Sequence, residues 1–201
     1  MLKNSELGQA FSKALGRVFR NVPVHPNAIT ASSAVFALAG YLAYDYYGGW
    51  VSFALFALAL LADAVDGAVA RERGLESRKG AFIDGVFDRV VEFFMILTLL
   101  GAPIPVLILQ KQVWLLLVLF FGAGLTGYIK AYAEHTGVMH HARAVKMPGM
   151  LERAARVLLL MLVFFLVLTQ SPYSAVVLMF TAVLALLTSV ERFSIALGSK
   201  D

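Results

Sequence analysis

The segment from Leu60 to Arg71, LLADAVDGAVAR, closes an apolar stretch and carries two aspartates three residues apart, Asp63 and Asp66. A charge at mid-membrane costs about 2.5–3.5 kcal/mol even on insertion scales, so a carboxylate there faces protein interior, a partner or water, and is a functional candidate by default. On a helix turning about 100° per residue, Asp63, Asp66, Gly67 and Ala70 share one stripe of carboxylates and small side chains. The next apolar segment repeats the device with Gly80, Asp84 and Asp88. With a rise of about 1.5 Å per residue and Arg71 and Gly80 both at the boundary, Asp66 lies about 7 Å deep and Asp63 about 12 Å; Asp84 lies about 6 Å deep and Asp88 about 12 Å. Two antiparallel helices then present carboxylates at two matched levels. Four such groups repel one another strongly in a low dielectric, and two divalent cations balance them. Oxygen-only ligands at a phosphate-handling site point to Mg²⁺ or Mn²⁺. A metal pair of this kind clamps the oxygens of a phosphoryl or diphosphate group. The competing reading, in which the aspartates only pair with Arg71, Arg78 and Arg89 at helix ends, accounts for one carboxylate more readily than for four at matched depth.

The elements that must position them are membrane helices. Of 201 residues, 60% are hydrophobic and 15% charged, and the mean hydropathy is +0.77, too little polar surface to coat a soluble globule. A bilayer core needs about 20 apolar residues per helical span. Six segments reach that length, near Ala28–Tyr47, Trp50–Arg71, Gly80–Gly101, Val113–Ala133, Met150–Thr169 and Pro172–Ile195. The expected fold is an all-α integral membrane protein of six transmembrane helices, one domain over residues 1–201. Ahead of them, residues 1–24 read as an amphipathic interfacial helix and linker. Leu7, Phe11, Leu15, Val18 and Phe19 lie on one side and Lys13, Arg17 and Arg20 largely on another, and two prolines in NVPVHPN end it. The first apolar run begins late and runs a full span, which argues against a removable signal peptide. Cysteine is absent, which excludes disulfide and thiolate chemistry.

Lys and Arg residues fall on the N-terminal arm, after spans two and four, and on the tail, whereas the opposite loops hold only Lys111. Both termini and the aspartate site are therefore expected in the cytoplasm of a multi-pass cell-membrane protein. The net charge of +4 suits anionic lipid head groups or phosphorylated substrates as partners and makes nucleic acid a poor one.

The sequence DAVDGAVARERGLESRKGAFIDGVFD, Asp63 to Asp88, fills every specified position of D-x2-D-G-x2-A-R-x8-G-x3-D-x3-D. In this it resembles the CDP-alcohol phosphotransferase family. HPNAIT, at the head of the first span, is similar to that family's Pro-Asn-x-x-Thr element and contributes Asn27 and Thr30. The resemblance implies a CDP-linked lipid as donor, CDP-diacylglycerol or CDP-archaeol, with an alcohol displacing CMP. It also implies that Asp63, Asp66 and Asp84 hold one metal and Asp63, Asp84 and Asp88 the other, with Asp88 as general base. Gly67, Ala70, Arg71 and Gly80, with Asn27 and Thr30, would frame the CDP-lipid. The six-span reading agrees with the family's fold.

Basic residues also cluster in the second half: Lys130 in GYIKAYAEHTG, Arg153 and Arg156 in GMLERAARVLL, and Arg192 in SVERFS. Such a set suits a phosphorylated acceptor, since arginine forks phosphate oxygens; each residue singly could be ordinary positive-inside anchoring. The segments are similar to those of phosphatidylinositol phosphate synthases, which implies inositol 1-phosphate as acceptor; archaeal relatives use the same acceptor with CDP-archaeol. Tyr132 stands where that subgroup often has Arg, which leaves glycerol 3-phosphate, serine or another alcohol open. A homodimer is also implied. His25, His135, His140 and His141 read as solvated, and Gly122, Gly124 and Gly127 as sites of close helix packing before a dimer seam. A transporter would show broken helices and repeated halves, and the chain shows neither. An aspartate-rich prenyltransferase would not need the frame of Gly67, Ala70, Arg71 and Gly80.

Overall fold

The computed structural model describes residues 14–19 and 25–199. The chain forms two compact units, Met1–Thr98 and Leu99–Asp201, and among the described residues it contains helices and no strand.

In the first unit, α1 (Pro26–Tyr47) starts at an extended N-cap, His25, whose Nδ1 accepts the Asn27 N–H at 3.2 Å. Pro26 follows at the first helical position, where its missing N–H costs nothing. Thr30, Ser33, Ala37, Gly40 and Ala43 form one buried face, and their small size lets α2 (Gly49–Arg73) approach closely. A Cβ on Gly40 would lie 3.2 Å from the Phe56 ring, which is itself fully buried. The turn between the two helices is a single residue, Gly48, at φ 87°, a conformation that favours glycine.

The C-terminus of α2 closes on Gly74 at φ 64°. Leu75 N–H donates to the Ala70 carbonyl at 2.9 Å and Gly74 N–H to the Arg71 carbonyl at 3.2 Å, the paired bonds of a Schellman motif. Ser77 then caps α3 (Arg78–Gly101), its hydroxyl accepting the Gly80 N–H at 3.0 Å. The connection is thus fixed at both ends by capping bonds. Residues 14–19 are helical, with Leu15 and Phe19 half-buried and Arg17 and Val18 exposed. A Cβ on Gly16 would sit 3.0 Å from the Ala68 carbonyl oxygen of α2. Leu7, Phe11, Lys13 and Arg20 of the expected amphipathic helix lie outside the described residues.

The second unit contains α4 (Lys111–His135), α5 (His141–Val145), α6 (Arg153–Leu168) and α7 (Ser174–Leu197). Residues Val118–Leu125 in the middle of α4 wind as a π-helix. Within that turn the Phe121 carbonyl accepts the Thr126 N–H and also the Ser189 hydroxyl of α7, the latter at 2.8 Å.

The long helices overlap the six expected apolar segments, and the largest shift of a start is at the fifth. A span was expected from Met150, but α6 begins at Arg153. The N–H groups of Met150 and Leu151 are taken by α7 side chains, Glu191 Oε2 at 3.0 Å and Thr188 Oγ1 at 2.9 Å. Among the described residues three helices are long and apolar enough to cross a membrane, Gly49–Arg73, Lys111–His135 and Ser174–Leu197. Of the others, α6 has 16 residues, and α3 carries Asp84, Asp88, Arg89 and Glu92. Large apolar side chains such as Phe120, Leu158 and Phe180 are more than half exposed, a surface that suits lipid as solvent.

Candidate active site

Three helix segments of the first unit converge on the aspartates: the start of α1, the last two turns of α2 and the first turns of α3. Carboxylate oxygens of Asp63, Asp66 and Asp84 lie within 4.8 Å of one another. Asp66 is 4% exposed, and its Oδ2 is buried and accepts no hydrogen bond. Three ionised carboxylates at this spacing repel by on the order of 3–4 kcal/mol per pair at an effective dielectric of about 20, so the cluster needs a counter-charge. An all-oxygen donor set with an unsatisfied buried oxygen fits a hard divalent cation. No histidine joins such a group among the described residues.

Asp88 stands one turn beyond Asp84 on α3, outside that three-residue cluster. It is buried, with Oδ2 3.7 Å from Arg89 Nη1.

A cleft of about 180 Å³ opens beside the cluster, lined by Asn27, Thr30, Asp66, Gly67, Ala70, Arg71, Gly80 and Asp84 among others. The structure therefore brings together all six residues expected to frame a CDP-lipid, and two of the aspartates with them. The small residues shape the cleft. A Cβ on Gly80 would come 3.1 Å from Ser77 Oγ and 3.5 Å from Asn27 Oδ1. At Gly67 the neighbour is Arg71, whose Nη1 would be 3.4 Å from an added Cβ, so the guanidinium folds back along its own helix toward the aspartates. Thr30 is buried, its hydroxyl donating to the Pro26 carbonyl at 3.1 Å. Sequence reasoning missed Ser77, Glu76 and Ala81, which also line the cleft. Ser77 was findable as an N-cap signal ahead of an apolar run.

The basic residues of the second unit are seated differently. Arg192 is buried, with Nε donating to the Pro148 carbonyl at 3.1 Å and Nη1 to the Thr126 carbonyl at 3.0 Å. Arg156 is buried against Gly122, where an added Cβ would meet its Cδ at 2.7 Å. Lys130 is half-buried, within electrostatic reach of Arg192 and Glu152, and its Nζ donates to the Val145 carbonyl at 3.4 Å. Arg153 opens α6, half-buried. Of the histidines, His25 caps α1 and His141 pairs with Glu134 at 2.8 Å, both exposed. Gly122 is a point of close packing against Arg156 and Ala185, whereas at Gly124 a Cβ would meet only its own helix.

Residues 23–188 match the CDP-alcohol phosphatidyltransferase family. The chain is 30% identical over 167 residues to the archaetidylinositol phosphate synthase of Aeropyrum pernix, covering 83% of this chain and 80% of that protein. Among solved structures it is similar to the phosphatidylinositol phosphate synthase of Mycobacterium tuberculosis with CDP-DAG bound. There the TM-score is 0.74 and the identity 23%, over 94% of this chain and 95% of the other. The same enzyme in complex with manganese and citrate gives a TM-score of 0.72 at 23% identity, over 94% and 90% of the two chains. At that identity the likeness establishes the fold.

Proposed function

The chain belongs to the CDP-alcohol phosphatidyltransferase family, and we propose that it moves a phosphatidyl or archaetidyl group from a CDP-linked lipid to inositol 1-phosphate, releasing CMP. The observation that carries the reading is the cleft in which Asn27, Thr30, Gly67, Ala70, Arg71 and Gly80 meet Asp66 and Asp84.

In this reading Asp63, Asp66 and Asp84 hold one divalent cation, Mg²⁺ or Mn²⁺, and Asp63, Asp84 and Asp88 hold a second. Bound there, the ions neutralise diphosphate oxygens and stabilise the departing CMP. Manganese bound by the mycobacterial enzyme supports that choice of metal. The glycines at 67 and 80 and Ala70 leave room for the nucleotide against backbone, and Arg71 pairs with its phosphate. Asn27 and Thr30 close the cleft from α1. The acceptor hydroxyl attacks the lipid-side phosphorus, the bond from that phosphorus to the CMP oxygen breaks, and the hydroxyl proton passes to Asp88.

Lys130, Arg153, Arg156 and Arg192 recognise the acceptor's phosphate. The Aeropyrum relative, named for making archaetidylinositol phosphate, supports an inositol phosphate as that acceptor and an archaetidyl donor, and CDP-DAG bound to the mycobacterial enzyme supports CDP-diacylglycerol as the other candidate donor. In this reading the chain is one catalytic domain, which the family match through both units supports. The six long helices are its membrane spans, with termini and cleft in the cytoplasm, as the Lys and Arg distribution supports. The enzyme is a homodimer by family resemblance.

The test is CMP release from purified protein given Mg²⁺ or Mn²⁺, either CDP-lipid, and inositol 1-phosphate, glycerol 3-phosphate or serine. Fastest release with inositol 1-phosphate is expected. Faster release with another alcohol replaces the acceptor, and no release with any pair sinks the reaction.

A further inference from the structure

Two helices able to cross a membrane, α4 and α7, end side by side. They stop at His135 and Leu197, and just beyond them Ser199 Oγ donates to the Val138 carbonyl at 2.7 Å. The two ends therefore leave the bilayer on the same face, at one level. At that level lies a groove of about 540 Å³ lined by residues at and beyond the ends of both helices, among them Met139, Arg143, Lys146, Met147, Ile195 and Ser199. None of the four cations assigned to the acceptor lines it.

The groove is two-faced. Its rim holds two exposed cations, Arg143 and Lys146, and among the described residues its lining includes no acidic side chain. Glu134, in the last turn of α4, is engaged by His141 at 2.8 Å. Its floor is the top of a buried apolar cluster that contains Met139 and Met147, with Ile195 packed against it.

We propose that this groove binds an anionic phospholipid of the surrounding bilayer, Arg143 and Lys146 holding the head-group phosphate and Met139, Met147 and Ile195 receiving the first part of a chain. Three features select that occupant. Paired cations without a carboxylate favour an anion. Basic pockets between membrane helices at the head-group level are placed to receive lipid phosphate. The thioether floor adapts to an irregular apolar chain, from which a free inorganic anion would gain nothing. No side chain that lines the groove is assigned a role in the proposed transfer reaction, so the lipid here is a bound component of the protein's surface.

The test uses the full chain in bilayers mixing phosphatidylcholine and phosphatidylglycerol, with native mass spectrometry to count the lipids retained after release. Wild-type protein should retain phosphatidylglycerol about 30-fold over its share in the bilayer. R143Q/K146Q should lose that preference, whereas R143K/K146R should keep it, and both should still release CMP. Should the double variant lose helical content, the single variants R143Q and K146Q, each costing about fivefold, carry the comparison. Undiminished enrichment in the Gln variants overturns the proposal. Displacement of the lipid by inorganic phosphate at millimolar concentration also overturns it, by making the ligand a free anion.

Discussion

Gly122 and Arg156 occupy one another's space: the site of a Cβ on Gly122 lies 2.7 Å from Arg156 Cδ and 3.3 Å from the Ala185 Cβ. Close approach of α6 and α7 to the π-helical turn of α4 depends on that missing methyl group. Gly122→Ala must displace a buried arginine, and overpacking of this kind costs about 1–3 kcal/mol. Thermal denaturation in detergent should show the loss, and the acceptor KM should rise while the donor KM holds. An unchanged melting temperature and acceptor KM would show that Arg156 is not held there by packing.

The aspartates divide into two experiments. Asp66→Asn and Asp84→Asn should lower Mn²⁺ affinity, read by electron paramagnetic resonance, by more than the roughly 100-fold that loss of an outer-shell partner costs at most, and turnover should vanish. Because each change also removes a like charge from a crowded cluster, thermal stability without metal should not fall. Asp88→Asn should cut kcat by about 10²–10⁴, the range for a general base, and leave at least one manganese bound. Wild-type affinity in the Asp66 and Asp84 variants would refute the ligand assignment.

Gly80 separates cleft shape from metal binding. In Gly80→Ala the new methyl group stands 3.1 Å from Ser77 Oγ and 3.5 Å from Asn27 Oδ1, so it narrows the cleft from the nucleotide side. The KM for CDP-lipid should rise several-fold with Mn²⁺ affinity intact. Ser77→Ala tests the cap alone, and its cost of about 0.5–2 kcal/mol should appear in melting and not in Mn²⁺ titration.

Arg192 donates to two backbone carbonyls, at Pro148 and Thr126. Lysine cannot reproduce that planar fork. Arg192→Lys should therefore destabilise the second unit by about 1–3 kcal/mol for each carbonyl left without a donor, and raise the acceptor KM. Equal stability of the lysine and arginine forms by chemical denaturation would remove the buried-fork account.

Sequence carried the aspartates and their frame because that site is local. All four aspartates, with Gly67, Ala70, Arg71 and Gly80, sit on two consecutive helices whose apolar periodicity and small-residue stripes fix which faces meet. Helix positions were legible for the same reason. Three features were not. The π-helical winding of Val118–Leu125 accompanies the packing of Arg156 against Gly122, a contact between distant segments. Arg192 is anchored by backbone carbonyls, and carbonyls carry no residue signature. Asp88 matches the motif spacing, yet it lies outside the three-oxygen cluster, because that cluster depends on how α2 and α3 are turned toward each other and spacing along one helix does not report it.

The described cleft is built wholly from residues between Pro26 and Asp84, and the four cations assigned to the acceptor lie between Lys130 and Arg192. A ribosome therefore finishes every wall of the proposed donor cleft before it adds the first of those cations. On the proposed assignment, mutation can likewise rewrite the later half, and with it the choice of alcohol, while the nucleotide-binding half stays untouched.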